Sequence, residues 1–139
     1  MSQTGSVRLS PNDGRFVRLW EHRDALGQAS IVRKLLKCRL ARQRHFRDGL
    51  FADPAWDMLL ELYATKLAGR LISVTSIIGA ASVPYSTGLR WLNTLIREGL
   101  AVRRADPMDG RRVFVEISAK GFDAMDNYFR GLPPDLFPL

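Results

Sequence analysis

The stretch YSTGLRWLNTLIREG, residues 85–99, carries side chains that can bind nucleic acid at helical spacing. Four polar side chains follow the spacing i, i+4, i+7 and i+11: Ser86, Arg90, Asn93 and Arg97. On a helix this spacing places all four on one face. Serine can donate a hydrogen bond to phosphate or base, arginine can pair with guanine through two hydrogen bonds, and asparagine can do the same with adenine. This face therefore has the chemistry needed to contact base edges and phosphates.

Further hydroxyl and guanidinium groups flank this face. Tyr85, Thr87 and Thr94 lie beside it on the same predicted helix, and Ser73 and Ser76 lie at the start of the predicted helix before it. Four arginines follow in a predicted hairpin: Arg103, Arg104, Arg111 and Arg112. We take all of these side chains as candidate nucleic-acid contacts.

Two short predicted helices, about 73–80 and 84–98, form a helix-turn-helix signature. Ser73 can cap the first helix, and Pro84 suits the first turn of the second because proline has no N–H to satisfy there. Gly88 within the second helix costs about 1 kcal/mol relative to alanine. That cost predicts that another helix crosses closely at this point.

After Gly99 the hydrophobic period changes from 3.6 to 2, which predicts a β-hairpin. LAVRRA is predicted as a strand, DPMDG as a turn and RRVFVEI as the returning strand. A helix-turn-helix followed by such a hairpin is typical of a winged helix. In that arrangement the recognition helix, 84–98, enters the major groove, and the wing, 103–112, follows the backbone or enters the minor groove.

The N-terminal part is predicted as a flexible arm, 1–19, followed by a long basic helix, 20–50. An apolar stripe of Ile31, Leu35 and Cys38 on that helix predicts packing either on a partner helix, as a dimerisation element, or on its own domain. The sequence favours neither of these two interpretations over the other.

The remaining segments are predicted as a winged-helix domain, 51–130, and a short tail, 131–139. Asp53 and Pro54 are typical of a helix start, because the Asp53 carboxylate can accept hydrogen bonds from the unpaired N–H groups of the first turn. The predicted fold class is therefore mainly α with a small β-hairpin wing, a winged helix-turn-helix preceded by a long helix.

Charge favours a polyanionic partner. The chain has 139 residues, a formal net charge of +7 and a pI near 10.3. The first 50 residues hold 11 lysines and arginines against 4 acidic residues, and the rest of the chain is balanced. Such an excess favours nucleic acid or an anionic membrane. Because the apolar stripe of the basic helix is narrow, no membrane role is expected.

The sequence lacks the usual signatures of an enzyme. It contains no glycine-rich phosphate loop and no paired-carboxylate motif, and His22 and His45 are isolated from acidic residues. The single cysteine, Cys38, excludes an internal disulfide and a multi-cysteine metal site. We therefore expect no enzymatic activity, no cofactor and no metal, and a cytoplasmic location.

Residues 83–121, VPYSTGLRWLNTLIREGLAVRRADPMDGRRVFVEISAKG, resemble the recognition helix and wing of MarR-type transcriptional regulators. The wing pattern of that family matches at six positions: Asp109, Arg111, Val115, Ile117, Ser118 and Gly121. The hydroxyls and the arginine of its recognition helix correspond to Ser86, Thr87 and Arg90. The resemblance covers about residues 55–125.

The resemblance implies a homodimeric repressor or activator that binds a pseudo-palindromic operator in double-stranded DNA. It also implies that Arg111 approaches the minor groove and that Asp109 helps to hold the wing. Two features depart from the family. Only about 18 residues follow Gly121, so a dimer would depend on the 23–47 helix, or be weak, or be absent. For the same reason the family's effector pocket is not expected to be complete. Pro84 replaces a polar capping residue. A protein–protein interaction module on a winged-helix scaffold stays open as the alternative.

Overall fold

The computed structural model describes residues 25–133, which form five α-helices and a sheet of three short strands. In chain order the elements are α1 (Ala25–Gln43), α2 (Pro54–Leu67), β1 (Ile72–Ser73), α3 (Val74–Gly79), α4 (Tyr85–Arg97), β2 (Ala101–Ala105), β3 (Val113–Ile117) and α5 (Ala119–Arg130). This is the mainly helical fold with a hairpin wing that the sequence predicts. The predicted arm, 1–19, and the end of the tail lie outside the described residues.

The wing is an antiparallel pair of strands. β2 and β3 pair through five residues each, from Ala101 opposite Ile117 to Ala105 opposite Val113. β1 pairs with the other edge of β3, which gives the strand order β1-β3-β2. The wing is therefore attached through β1 to the start of α3.

The core is built around α2, which packs against every other helix of the described chain and against β3. Met58, Leu60 and Tyr63 are fully buried on this helix. The Tyr63 ring stacks on that of Phe129, with 5.6 Å between centroids. Burying one such large side chain contributes about 1.5–3 kcal/mol. Because α4 and β3 share this support, the recognition helix and the wing are held on one scaffold.

Helix α1 ends earlier than the sequence predicts. It stops at Gln43, and residues 44–52 form turns with i→i+3 hydrogen bonds. Gly49 adopts a left-handed conformation with φ of 81°, and the chain doubles back so that the rings of Phe46 and Phe51 meet edge to face at 5.0 Å. Arg42 also donates to the Phe51 carbonyl oxygen at 3.2 Å. These contacts end the helix where periodicity alone would continue it.

The predicted apolar stripe of α1 is wrong at its C-terminal end. Ile31 is buried and Leu35 is half-buried, but Cys38 is exposed. The buried side of α1 lies nearer its N-terminus, where Ala29 and Val32 join Ile31 against α2. Leu35 and Leu36 still pack against the core, and beyond them α1 meets α2 through the ion pair of Arg39 with Asp57.

Asp53 does not cap α2 with its side chain, contrary to the prediction. Its Oδ2 lies 3.5 Å from Nη2 of Arg39 on α1, so a long-range ion pair takes the place of the local cap. Nε of Arg39 also donates to Oδ1 of Asp57 at 2.5 Å. Burial raises the pKa of Asp57, and the hydrogen bond and charge of Arg39 oppose that rise.

The close crossing predicted at Gly88 is present. A Cβ atom at this position would lie 2.7 Å from Cγ2 of Ile78 on α3. The turn between the two helices holds Ser82 at φ of 57°, the left-handed region. The absence of a side chain at Gly88 therefore lets α4 pack directly on α3.

We expect Gly88→Ala to lower the free energy of unfolding by about 1–3 kcal/mol, because the new methyl group overlaps Ile78. Alanine is favoured over glycine in a helix by about 1 kcal/mol, so the matched variant Gly79→Ala, with nothing within 4 Å, should stabilise the chain by up to that amount. Urea unfolding followed by circular dichroism measures both. Equal stability of the two variants would contradict the close crossing.

Candidate nucleic-acid interface

The polar face of α4 points away from the core. Its apolar side is buried through Leu92 and Leu95. On the other side Ser86, Arg90 and Arg97 are exposed, while three further candidates are half-buried: Thr87, Asn93 and Thr94. Tyr85 at the start of the helix is also exposed. The structure thus brings the candidate contacts of the recognition helix together on one outward face.

The side chain of Arg97 is oriented by Thr94. The Thr94 hydroxyl donates to the backbone oxygen of Arg90 at 3.0 Å. The same hydroxyl oxygen accepts from Nη2 of Arg97, also at 3.0 Å. Thr94 therefore orients the guanidinium group of Arg97 along the helix.

The hydroxyls at the start of α3 are used for capping. Oγ of Ser73 accepts from the backbone N–H of Ser76 at 3.1 Å and also lies 3.0 Å from Oγ of Ser76. Since an exposed N-cap also presents backbone N–H groups to an anion, capping is compatible with a phosphate contact.

The turn of the wing is held by carboxylates. Oδ1 of Asp109 accepts from the backbone N–H of Arg111 at 3.1 Å and from its Nε at 3.2 Å. The backbone hydrogen bond, followed by the side-chain hydrogen bond, lowers the pKa of Asp109. Asp106 accepts from the backbone N–H of Met108 at 2.8 Å and lies 3.9 Å from Nε of Arg112. Both arginines of the returning side of the turn thus have a carboxylate beside them.

Arg103 and Arg104 are neighbours on β2 but point to opposite faces of the wing. Nη2 of Arg103 donates to Oδ1 of Asn93 on α4 at 2.8 Å. Nε of Arg104 forms an ion pair with Glu116 on the other face, which Nζ of Lys66 approaches within 3.5 Å. Only Arg103 of this pair therefore faces the recognition helix.

A cleft of about 700 Å³ separates the recognition helix from the wing. Its walls come from α3, α4 and the wing, and its polar lining includes Ser73, Tyr85, Arg103, Asp109, Arg111 and Arg112. Three guanidinium groups against one carboxylate make this cleft suited to an anionic ligand. The candidates grouped here come from three separate segments of the sequence.

Sequence reasoning missed two features of this surface. Trp91 is 41 % exposed on α4, and no role was predicted for it from the sequence. Glu116, the partner of Arg104, is identified from the sequence only as part of a strand. Its place on the outer face follows from strand alternation once the register is known.

Two negative observations apply to residues 25–133. In this range no helix is long and apolar enough to cross a membrane. The same residues contain no cluster of histidine, cysteine and carboxylate side chains arranged to bind a metal.

Comparison with known proteins places this geometry in a recognised class. Residues 74–121 match a family model described as a winged helix DNA-binding domain. The fold is similar to that of S. aureus MepR in complex with DNA, with 19 % identity over 74 % of this chain and 77 % of that chain and a TM-score of 0.51. No curated protein matches the chain by sequence.

Two further solved structures share the fold. A mutant of MepR from a multidrug resistant S. aureus clinical isolate aligns at 22 % identity over 60 % of this chain, with a TM-score of 0.50; the alignment spans 58 % of the mutant's own length. NadR in complex with 4-hydroxyphenylacetate aligns at 19 % identity over 92 % of this chain and 77 % of that chain, with a TM-score of 0.50. The chain thus carries a winged helix DNA-binding domain at residues 74–121, and the winged helix-turn-helix fold predicted from the sequence is confirmed.

We expect the carboxyl group of Asp109 to titrate below its ordinary value of 3.8, because the Arg111 N–H stabilises the ionised form. A lowered pKa in the folded wing means that this stabilisation is present above pH 3.8 and is lost as the pH falls through the lowered pKa. Carboxyl-carbon NMR measures it directly. In Arg111→Ala the backbone N–H of residue 111 remains, so the pKa of Asp109 should return only part of the way to 3.8. Titration at or above 3.8 in the unmodified protein would contradict the wing geometry.

Proposed function

We propose that this chain is a sequence-specific double-stranded DNA-binding transcription regulator of the MarR type. In this proposal α4 occupies the major groove and the wing contacts the backbone or the minor groove. The observation that supports it best is the cleft between α4 and the wing, which Tyr85 at the start of α4 borders together with three wing arginines. One of these arginines, Arg103, also donates to Asn93 on the polar face of α4. A structure bound to DNA is known for MepR, which has the same fold.

The dimensions of α4 suit the major groove. The helix has 13 residues, which corresponds to about 20 Å, and the major groove of B-DNA is about 12 Å wide and admits a helix. Ser86 and Arg90 lie on its exposed face in the N-terminal half. Recognition helices of this type contact base edges mainly through their N-terminal residues. Arg90 is therefore proposed as the main base-reading residue.

The wing arginines suit the phosphate backbone or the narrow groove. The side chain of Arg111 is 93 % exposed, and that of Arg112 is 58 % exposed. Because Asp109 holds Nε of Arg111, the outer nitrogens of that guanidinium are left to face the solvent. A guanidinium presented this way is attracted by the negative potential of a narrow minor groove.

A homodimer on a pseudo-palindromic operator is the proposed assembly. Several large apolar side chains on α1 and the following turns are exposed in the single chain: Leu26, Leu40, Phe46, Leu50 and Phe51. Among them the rings of Phe46 and Phe51 are in contact, and a contiguous exposed apolar patch can mark a protein interface. NadR is solved with 4-hydroxyphenylacetate, so a small-molecule effector is a secondary part of the proposal. The proposed site of action is the cytoplasm.

Selection of duplexes from a random oligonucleotide pool tests this function most directly. A regulator of this type should enrich one sequence, and a symmetric dimer should enrich it as an inverted repeat. Enrichment of a single half-site would argue against the dimer. Failure to bind any duplex between about 50 and 200 mM salt would favour a protein–protein module on the same scaffold.

Arg111→Ala should reduce the salt dependence of binding to the selected duplex. Loss of one phosphate contact lowers the slope of log K against log salt by about 0.9 and weakens binding to all sequences alike. Fluorescence anisotropy over a salt series measures the slope. Arg130→Ala is the matched control, because Arg130 pairs with Asp126 on α5 and lies on neither α4 nor the wing. The same slope change in both variants would contradict the role of the wing.

Arg90→Ala should relax base preference at one position of each half-site, in contrast to the wing variant. A bidentate arginine–guanine pair discriminates against the wrong base by about 1–3 kcal/mol, and that difference should disappear. Competition between the selected duplex and single-base variants measures it. Unchanged discrimination at every position would remove Arg90 from the base-reading face.

A further inference from the structure

We infer that Arg103 of the wing turns the carbonyl oxygen of Asn93 towards itself, so that Asn93 presents its NH₂ donor to DNA. Arg103 is then a positioning residue for base readout by α4 as well as a cation of the wing. This inference rests on the proposed function. It gives Asn93 a role different from the one that its residue type alone would suggest. Asparagine on a recognition helix would ordinarily be expected to pair with adenine through both amide atoms.

The orientation of the Asn93 amide follows from its partner. Nη2 of Arg103 lies 2.8 Å from Oδ1 of Asn93. A guanidinium has five N–H donors and no acceptor, so only the oxygen of the amide can face it. The amide oxygen therefore points towards the wing, and the NH₂ group points away from it.

The strand register explains why Arg103 makes this contact and Arg104 does not. Arg103 lies opposite Val115, whose side chain is buried, so both project from the face of the wing that packs on the domain. Arg104 projects from the other face, where it pairs with Glu116. A change of one residue in the register would exchange the two arginines.

This orientation changes which base the residue can select. Bidentate pairing with adenine requires the amide to accept from N6 and donate to N7 of the same base. Because its oxygen is turned towards Arg103, which occupies one of the two lone pairs, Asn93 presents the donor half of that pair. A donor alone suits N7 or O6 of guanine, N7 of adenine and O4 of thymine, and it disfavours the amino edge of cytosine. Asn93 should therefore exclude cytosine without choosing adenine.

Base preferences of the full chain test the inference. The base pair read by Asn93 is identified as the one at which Asn93→Ala loses discrimination. At that pair Arg103→Ala should release the amide and create a preference for adenine of about 5- to 150-fold, the range of a good bidentate contact. Arg104→Ala removes the same charge from the opposite face and should leave base preferences unchanged.

The double variant Asn93→Ala, Arg103→Ala should show no preference for adenine, because the released amide is absent. Arg103→Met, which keeps much of the length of the side chain but donates no hydrogen bond, should behave as Arg103→Ala does. Far-UV circular dichroism and the thermal midpoint confirm that the variants are folded. Neither Asn93 nor Arg103 belongs to the core. A change in base preference with an unchanged thermal midpoint therefore shows that Arg103 positions Asn93 and that the substitution has not damaged the fold.

The inference would be overturned by adenine preference at this pair in the unmodified protein, by an unchanged preference in both Arg103 variants, or by the absence of any position that depends on Asn93. Equal effects of Arg103→Ala and Arg104→Ala would reduce Arg103 to a phosphate contact and would also overturn it. Failure of the unmodified protein to bind any duplex would instead overturn the proposed function.

Discussion

The direct contact between α3 and α4 at Gly88 is the constraint on which the presentation of the candidate interface depends. Ile78 fills the space that a side chain at Gly88 would occupy, so the two helices approach through backbone and one methyl group. This close approach fixes which side of α4 is buried and therefore which side is exposed. The polar face is outward because Leu92 and Leu95 are drawn into the core, and no contact of the polar residues is needed to place it there.

The wing depends on a second constraint, the pairing register of β2 and β3. Side chains alternate between the two faces of a strand, so consecutive arginines cannot both face α4. The register gives Arg103 to Asn93 and Arg104 to Glu116. Composition treats these two arginines as equivalent cations, whereas the fold assigns one to the recognition helix and the other to an ion pair on the far side of the hairpin.

The sequence predicted the features that depend on local chemistry. The cap at Ser73 and the change of period after Gly99 act within a few residues, and both appear in the structure. The crossing at Gly88 joins two helices that are adjacent in the chain, and it was signalled by a glycine inside a helical pattern. The features that could not be predicted depend on partners distant in the chain. The role of Asp53 and the orientation of Asn93 are each decided by a contact with another element. Which candidate side chains contact DNA stays a prediction.

The charge exposed on the folded chain also differs from the charge counted along the sequence. The net charge of the chain lies in its first 50 residues, yet α1 pairs two of its arginines with acids of α2. The winged domain is balanced in sequence but not on its surface. In the wing turn the side chains of Arg111 and Arg112 are 93 % and 58 % exposed, while their partners Asp109 and Asp106 are 38 % and 13 % exposed. The carboxylates are thus less exposed than the guanidinium groups that they orient, so a neutral segment presents a positive surface.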